Sequence, residues 1–347
     1  MVALFTAGGV IVDTVVSADG TLGPRTMGGN AVYSAAGARL WLDGVGIVAR
    51  VPANYPRAFL ERLEQGGIDL SGIRFEAAEV TENEWFFYRE DGSRADHLHG
   101  DMAAPLPAEP GTRLSREQAA ELEDRLRRLP ATGNDFAAFR RRHPVRLEDV
   151  PPAYLSAAAV HLAANGLAEQ LAMTRALSGA GLRVSVDPGS NAGGMIGRDM
   201  TDSQSGESGI GAIMAAATAF LPSEKELRCL APGLAREEAF AALQARGPAA
   251  LVAKLGAEGS LHRDADGTLR LLPVFPVRAV DPTGAGDAFC GGFLAGLVLL
   301  GDLSAAACLG TISASFAVES FGPFHLLGIT RPAARARLDT FLASLEP

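Results

Sequence analysis

Lysine is nearly missing from this chain: of 31 basic residues among 347, only Lys225 and Lys254 are lysines. A P-loop nucleotide site requires a lysine directly after glycine. Lys225 follows Glu224 and Lys254 follows Ala253, so that class is excluded. Cysteine is scarce too. Cys229, Cys290 and Cys308 are odd in number, far apart and without CxxC spacing, which argues against a disulfide framework or a cysteine zinc site. A net charge of -9 argues against nucleic acid or an anionic membrane as partner, because both need a basic surface that displaces counterions. No apolar run reaches the roughly 18 residues of a membrane span. The opening MVALFTAGGVIVD lacks a basic n-region and meets an acid at Asp13, so it reads as a strand rather than a signal peptide. The expected compartment is the cytoplasm.

What is present is a hydrophobic share of 48% against a charged share of 20%, ordinary for a globular α/β enzyme with a real core. ALFTAGGVIVD reads as a first strand and turn, AVYSAAGARLWLDG as a helix packed on a sheet, and VGIVAR as a second strand. A helix over Arg57 to Gln65, closed by Gly66 and Gly67, leads into a region of β period that contains EWFFYRED. Ser115 with Gln118 three residues on is a capping-box signature for a helix that Pro130 stops. From Ala131 to Pro152 the pattern is irregular and reads as a surface connection, with the run Arg140 to Arg142 solvated. From Ala157 the β then α rhythm resumes through AAVHLAANG, LRVSVDPG, AFLPSEKEL, ALVAKLGAEGS and LRLLPVFPVRAVD. Strands alternating with helices imply an α/β fold with a doubly wound, largely parallel sheet, whose ligands gather beyond the carboxyl ends of the strands.

Several short motifs are coincidences. His262, Arg263 and Asp264 spell HRD, but residue 269 is leucine where a protein kinase needs asparagine, and no DFG is present. GVGIVA at Gly44 to Ala49 fits a dinucleotide fingerprint loosely, yet precedes a strand when it should follow one. His97 and His99 have the spacing of two metal ligands on one strand face, without a third nearby. Trp85, Phe86, Phe87 and Tyr88 suit either a lid over a sugar or base, or the filling of a small sheet.

The segment DPTGAGDAFCGGFLAG, Asp281 to Gly296, places glycines ahead of a helix that is apolar almost all round. Unpaired N–H groups and the positive helix end there form an anion site, and the small residues Gly284, Ala285 and Gly286 let a phosphate approach. Asp287 stands one residue beyond, where its carboxylate can serve as general base for a hydroxyl. Taken alone, the segment fits equally a glycine turn with Asp287 as helix cap.

Over all sixteen residues it resembles the C-terminal signature of the ribokinase-like, or PfkB, carbohydrate kinases. MGGNAVYSAAGARL, Met27 to Leu40, is similar to that family's first signature, which implies that Gly28, Gly29 and Asn30 contact substrate hydroxyls. Asp13 matches its substrate-binding aspartate. LPSEKEL, Leu221 to Leu227, is similar to the NxxE motif, with Ser223 in place of asparagine and Glu226 expected to act on magnesium through water. On its own SEKE is also a capping box with Ser223 as N-cap. KLGAEGS, Lys254 to Ser260, resembles the nucleotide-binding strand end, with Gly256 and Gly259 admitting the nucleotide. The resemblance lets Lys254 touch a phosphate, although an isolated lysine at a strand end is ordinarily a surface residue. Asp187 and Asn165, each ending a strand, are weaker candidates for metal and substrate contacts. The family commonly has a glycine and an aspartate after the second strand, where this chain has Pro52, Ala53 and Asn54.

The resemblance implies one ribokinase-like domain over 1–347, a lid from segments 14–27 and 73–103, and an irregular insertion at about 105–152. It implies ATP-dependent phosphorylation of a hydroxyl on a sugar or sugar derivative, with magnesium, a monovalent cation such as potassium in some members, and dimerisation through the lid in others. The alternatives are a nucleoside or cyclitol acceptor, and a non-catalytic sugar- or nucleotide-binding regulator.

Overall fold

A computed structural model describes residues 1–189 and 209–345. The first strand expected from ALFTAGGVIVD is two strands in two different sheets. β1 (Leu4–Ala7) enters the main sheet, and after the Gly8-Gly9 turn β2 (Ile11–Val16) enters a smaller one. β3 (Thr26–Gly28), helix α1 (Asn30–Arg39), β4 (Val45–Pro52), α2 (Arg57–Gln65) and β5 (Ile68–Glu76) follow. Then come β6 (Glu82–Tyr88), β7 (Arg94–Asp101), α3 (Arg116–Arg127) and α4 (Phe136–Arg142). The alternating half contains β8 (Ala159–Leu162), α5 (Leu167–Gly179), β9 (Arg183–Val186), α6 (Ile210–Ala216), β10 (Ala219–Phe220), α7 (Glu224–Leu230), α8 (Arg236–Gln244) and β11 (Ala250–Lys254). β12 (Ser260–Arg263), β13 (Leu269–Leu272), α9 (Ala285–Leu300), α10 (Leu303–Ala317), α11 (Phe324–Gly328) and α12 (Arg331–Leu345) complete it.

Among the described residues the main sheet has nine strands in the order β13-β12-β11-β10-β9-β8-β1-β4-β5. Every pair from β11 to β5 is parallel; β12 and β13 add an antiparallel edge. The strand order reverses direction at β1, which lies between β8 and β4. In open α/β sheets such a switch point leaves a crevice at the strand ends. The largely parallel, doubly wound architecture read from the sequence is therefore the one observed.

The second sheet, β3-β2-β6-β7, lies over that crevice as a lid. Its strands differ from the expected segments: residues 73–76 belong to β5 of the main sheet, and the lid begins as early as Ile11. Period-2 alternation resolves the WFFY question both ways. Glu84 and Phe86 face the crevice, whereas Trp85 and Phe87 point outward into a cluster with Val16, Leu22, Leu98 and Leu122. α3 covers that outer face. It starts at the expected capping box, where Ser115 accepts from the Gln118 N–H and Gln118 accepts from that of Ser115.

The stretch after α3 is not merely a surface connection. Asp135 caps α4 by accepting from the Ala138 N–H at 2.7 Å, and Phe136 and Phe139 are fully buried. With those two rings inside, the helix carries Arg140 to the rim of the crevice instead of into bulk solvent. At the other end of the chain, the strand-like run LRLLPVFPVRAVD forms β13 only over its first four residues. The rest, rich in proline, follows the crevice without regular structure.

α1 and α9 meet backbone to backbone. A Cβ on Gly37 would overlap the Ala288 carbonyl, and one on Gly291 the Ser34 carbonyl; Gly292 and Gly296 stand likewise against α10. These glycines are packing residues, distinct from those at the start of α9. In an open helix Gly→Ala is favourable by about 1 kcal/mol. For Gly291→Ala the expected sign is opposite, a loss of about 1–3 kcal/mol from overpacking, measured by urea unfolding; stabilisation would show that the two helices do not approach so closely.

Candidate active site

The carboxyl ends of β11, β10, β9, β8 and β1 open on one cleft of about 1240 Å³, roofed by the lid. Lys254 ends β11, Ser223 and Glu226 follow β10, Asp187 follows β9, Asn165 follows β8, and Gly8 and Gly9 follow β1. The start of α9 closes one side with Gly284 to Asp287. Asp13 reaches the cleft from lid strand β2, and Gly29 and Asn30 from the start of α1. Gly256 and Gly259 border it at the β11 end. Gly28 sits behind Asp13 so tightly that a Cβ would overlap the carboxylate.

Gly284 is the N-cap of α9 in a left-handed conformation (φ 74°), where any side chain would also collide with the Tyr33 ring. Glycine is the residue that satisfies both demands. Asp281 accepts from the Thr283 N–H at 2.8 Å and shapes the turn that leads in. The Ala285 N–H points back to the Pro282 carbonyl at 3.3 Å, so the donors directed at the cleft begin with the next residues. Tyr88 of the lid meets Thr283 hydroxyl to hydroxyl at 3.0 Å and ties the roof to this turn.

Asn30 is occupied structurally. Its side-chain oxygen accepts from the Gly9 N–H at 2.7 Å and its amide donates to the Ala164 carbonyl at 3.2 Å, which holds the β1 and β8 loops together. Asn165 likewise donates to Val145 at 2.7 Å. Asp13 is different. It is buried, and neither carboxylate oxygen has a hydrogen-bond partner. Burial, then repulsion from Asp281 and Glu84, drives its pKa well above the carboxylate range against the pull of Arg94.

Lys254 is not a surface residue. Its ammonium is enclosed, paired with the buried Asp187 and 3.5 Å from Cys290 Sγ. Burial opposes its charge, but Asp187 first, then Cys290, Glu226 and Asp287, hold its pKa well above the usual value. Burial raises Asp187, but Lys254, with His161 and the Gly189 N–H, more than offsets it and keeps its pKa low. Glu226 completes the predicted capping box, accepting from the Ser223 N–H at 2.6 Å, and also faces the cleft. Burial and Asp187 push it up. Asp287 is pushed up to about 7 by burial and then by Asp187, with Lys254, Arg94 and Arg140 opposing. A carboxylate poised near neutrality beside helix-end N–H groups can accept a proton next to a bound anion.

These carboxylates can be tested for magnesium. Asp187 uses one oxygen for the Gly189 N–H at 2.9 Å and the other for Lys254, so it is a counter-ion rather than an open ligand. Glu226 retains an oxygen outside its hydrogen bond. Among the described residues no three His, Cys, Asp or Glu side chains come together as a metal site. The donor set fits a hard cation carried mainly by phosphates and water, with Glu226 facing it.

Sequence reasoning missed Glu84, Arg94, Arg140 and the run Val274 to Val277 with Ala279, all of which line the cleft. The first three lie where only lid register and the anchoring of α4 reveal their direction. The last was hidden by its strand-like composition.

Comparison with known proteins agrees with this fold. The chain shares its fold with a ribokinase II candidate from Escherichia coli, with a TM-score of 0.70 at 19% identity over 99% of this chain and 100% of that one. The same protein in complex with ATP and magnesium superposes with a TM-score of 0.67, again at 19% identity and with the same coverage. A cytidine kinase from Thermococcus kodakarensis is 26% identical over 85% of this chain and 88% of its own length. A ribokinase from Lactococcus lactis is 35% identical over 29% of this chain and 32% of its own. The fold is thus a ribokinase-like α/β fold with a small lid sheet. The pattern of the pfkB family carbohydrate kinase matches residues 190–326 of this chain. Among the described residues no helix is long and apolar enough to cross a membrane.

Two expectations follow. Lys254→Met strands the buried Asp187 charge and is expected to cost about 3–5 kcal/mol in denaturant unfolding. Asp13→Asn is expected to raise stability. A carboxyl whose folded pKa lies above its unfolded value favours the fold only at low pH and opposes it as pH rises. Calorimetry should therefore show the variant gaining a few degrees, on the order of 2–4 °C, at pH 7 and losing that gain toward pH 3.

Proposed function

We propose that this protein transfers the γ-phosphoryl group of ATP to a hydroxyl of a substrate that presents a sugar's adjacent hydroxyls, with Asp287 as the base. The observation that carries this reading is the buried Asp13 carboxylate. Both its oxygens are unsatisfied within the chain and line the same cleft as Asp287 and the start of α9. Leaving a buried acceptor unpaired costs about 1–3 kcal/mol, which a pair of neighbouring hydroxyls would repay on binding.

In this mechanism Asp13 accepts from two hydroxyls and so fixes the ring. Gly28 and Gly29 keep side chains out of its way, and Asn30 acts mainly by holding the Gly9 and Ala164 loops that frame the acceptor. Asp287 takes the proton of the attacking hydroxyl as its oxygen bonds to phosphorus and the bond to the β-phosphate oxygen breaks. The N–H groups at the start of α9 meet the charge on the transferred group. Val274, Phe275, Val277 and Ala279 on one side and Thr311 and Ala314 on the other offer the apolar walls that an adenine requires, with Gly256 and Gly259 at its entrance. Magnesium bound to the phosphates would neutralise charge, with Glu226 and Ser223 beside it.

The sequence reading ranks a free sugar ahead of a nucleoside or cyclitol. The ribokinase relative is consistent with the first, and the longer match to the cytidine kinase with the second. The match to the pfkB carbohydrate kinase pattern over residues 190–326 favours turnover over the purely regulatory alternative.

Two measurements test the proposal. In an ATP-consumption screen over sugars, sugar acids, polyols and nucleosides with magnesium, with and without potassium, Asp287→Asn should lower turnover about 10³-fold or more while nucleotide affinity changes little. Persisting turnover would remove Asp287 as base. Because Asp287 must be deprotonated to act and is pushed up to about 7, kcat/KM should fall about tenfold per pH unit below neutrality and level off above it. A profile flat down to pH 5 would contradict that assignment.

A further inference from the structure

We infer that the acceptor end of the cleft contains a second recognition subsite, formed by Glu84, His99 and Arg140, which takes an amino-bearing heterocycle attached to the sugar. The inference deepens the proposed kinase reading and rests on it: the acceptor would be a nucleoside rather than a free monosaccharide.

Asp13 pairs with Glu84 across β2 and β6, and Glu84 pairs with His99 across β6 and β7. The three therefore form one row on the inner face of the lid, and all three line the cleft. Neighbouring strands lie about 4.8 Å apart, so the row runs about 10 Å from Asp13 to His99. One sugar ring held at Asp13 does not reach the far end. Yet the far end is polar and buried: Glu84 Oε1 and His99 Nδ1, like both oxygens of Asp13, make no hydrogen bond within the chain. Buried polar atoms in folded proteins are nearly always satisfied, and groups that are not call for a partner.

Arg140 supplies the complementary group. The buried rings of Phe136 and Phe139 anchor α4, and the guanidinium lies against the β1 turn, with Cδ and Nη1 both 2.9 Å from where a Cβ on Gly9 would stand. Arg140 faces Glu84 at 3.5 Å, a charge pair without a formed hydrogen bond. An acceptor-only carboxylate is thus set beside a donor-only guanidinium. That pairing matches a planar edge on which an exocyclic amine adjoins a ring nitrogen, as in cytosine or adenine. Phe86, two residues along the same face from Glu84, adds an aromatic wall backed by Arg94 at 4.4 Å.

A carboxylate or phosphate substituent fits less well. It would meet Asp13, Glu84 and Asp96, while Arg50, Arg94 and Arg140 each already face an acid. A sugar hydroxyl, which donates and accepts equally, has no need of the fixed acceptor–donor pair.

The test compares kcat/KM for cytidine, adenosine, uridine, inosine, ribose and fructose, with ATP and magnesium. Cytidine or adenosine should exceed ribose at least 100-fold. Glu84→Gln should lower kcat/KM for that nucleoside about 10- to 100-fold, chiefly through KM, and change ribose turnover less than threefold. His99→Gln, a milder change at the row's far end, should show the same selectivity should Glu84→Gln fold poorly. Ribose or fructose used as well as any nucleoside, or a variant that depresses all acceptors equally, would overturn the subsite and leave the kinase standing. If no acceptor is phosphorylated, the kinase reading fails, and calorimetric titration of the wild-type protein with cytidine and adenosine still decides. Binding that Glu84→Gln abolishes supports the subsite, and its absence refutes it.

Discussion

Backbone contact between α1 and α9 brings the two halves of the candidate site together. α1 begins at Gly29 and Asn30, beside Asp13; α9 begins at Gly284, beside Asp287. Each helix start lies on the cleft, and their separation follows from how closely the helix bodies approach. Gly37 and Gly291 permit carbonyl-to-glycine contact that no side chain would tolerate. The small residues of the AFCGGFLAG segment therefore serve a structural end, while the leading GAGD lines the cleft. A single run of sequence combines a packing requirement and a cleft wall because the helix carries both.

The same closeness concentrates negative charge. Asp187, Glu226 and Asp287 share a single enclosed ammonium, that of Lys254. Electrostatic repulsion and burial raise two of the three, and Lys254 lowers the third, which separates their roles. Asp187 becomes a fixed counter-ion, Glu226 a capped and partly available acid, and Asp287 a carboxyl pushed up to about 7. A chain with two lysines has used one where its removal would leave a buried charge unpaired.

The segment between the lid and the alternating half, irregular in sequence, has two observable uses. α3 covers the lid's outer apolar face, so Trp85 and Phe87 are interior residues of this chain. α4 inserts two aromatic rings into the core and presents Arg140 at the acceptor end. A helix outside the alternating half therefore lines the end of the cleft where Asp13 and Glu84 stand.

Where hydrophobic period, capping and glycine placement are local properties, the sequence is a sufficient guide. It determines α2, the capping boxes of α3 and α7, the parallel sheet and the start of α9. Glu226, Lys254 and Asp287 are recognisable because each is next to a local signal, a strand end or a helix start, whereas Asp13 lies within lid strand β2 and is picked out by resemblance. Only the tertiary structure decides the rest. Whether Lys254 is solvated or buried depends on β9 delivering Asp187 beside it. The splitting of the first strand between two sheets depends on a turn that Asn30 holds from 21 residues away. Glu84, His99 and Arg140 come together through lid register and the burial of Phe136 and Phe139, relations between distant segments that local period does not encode.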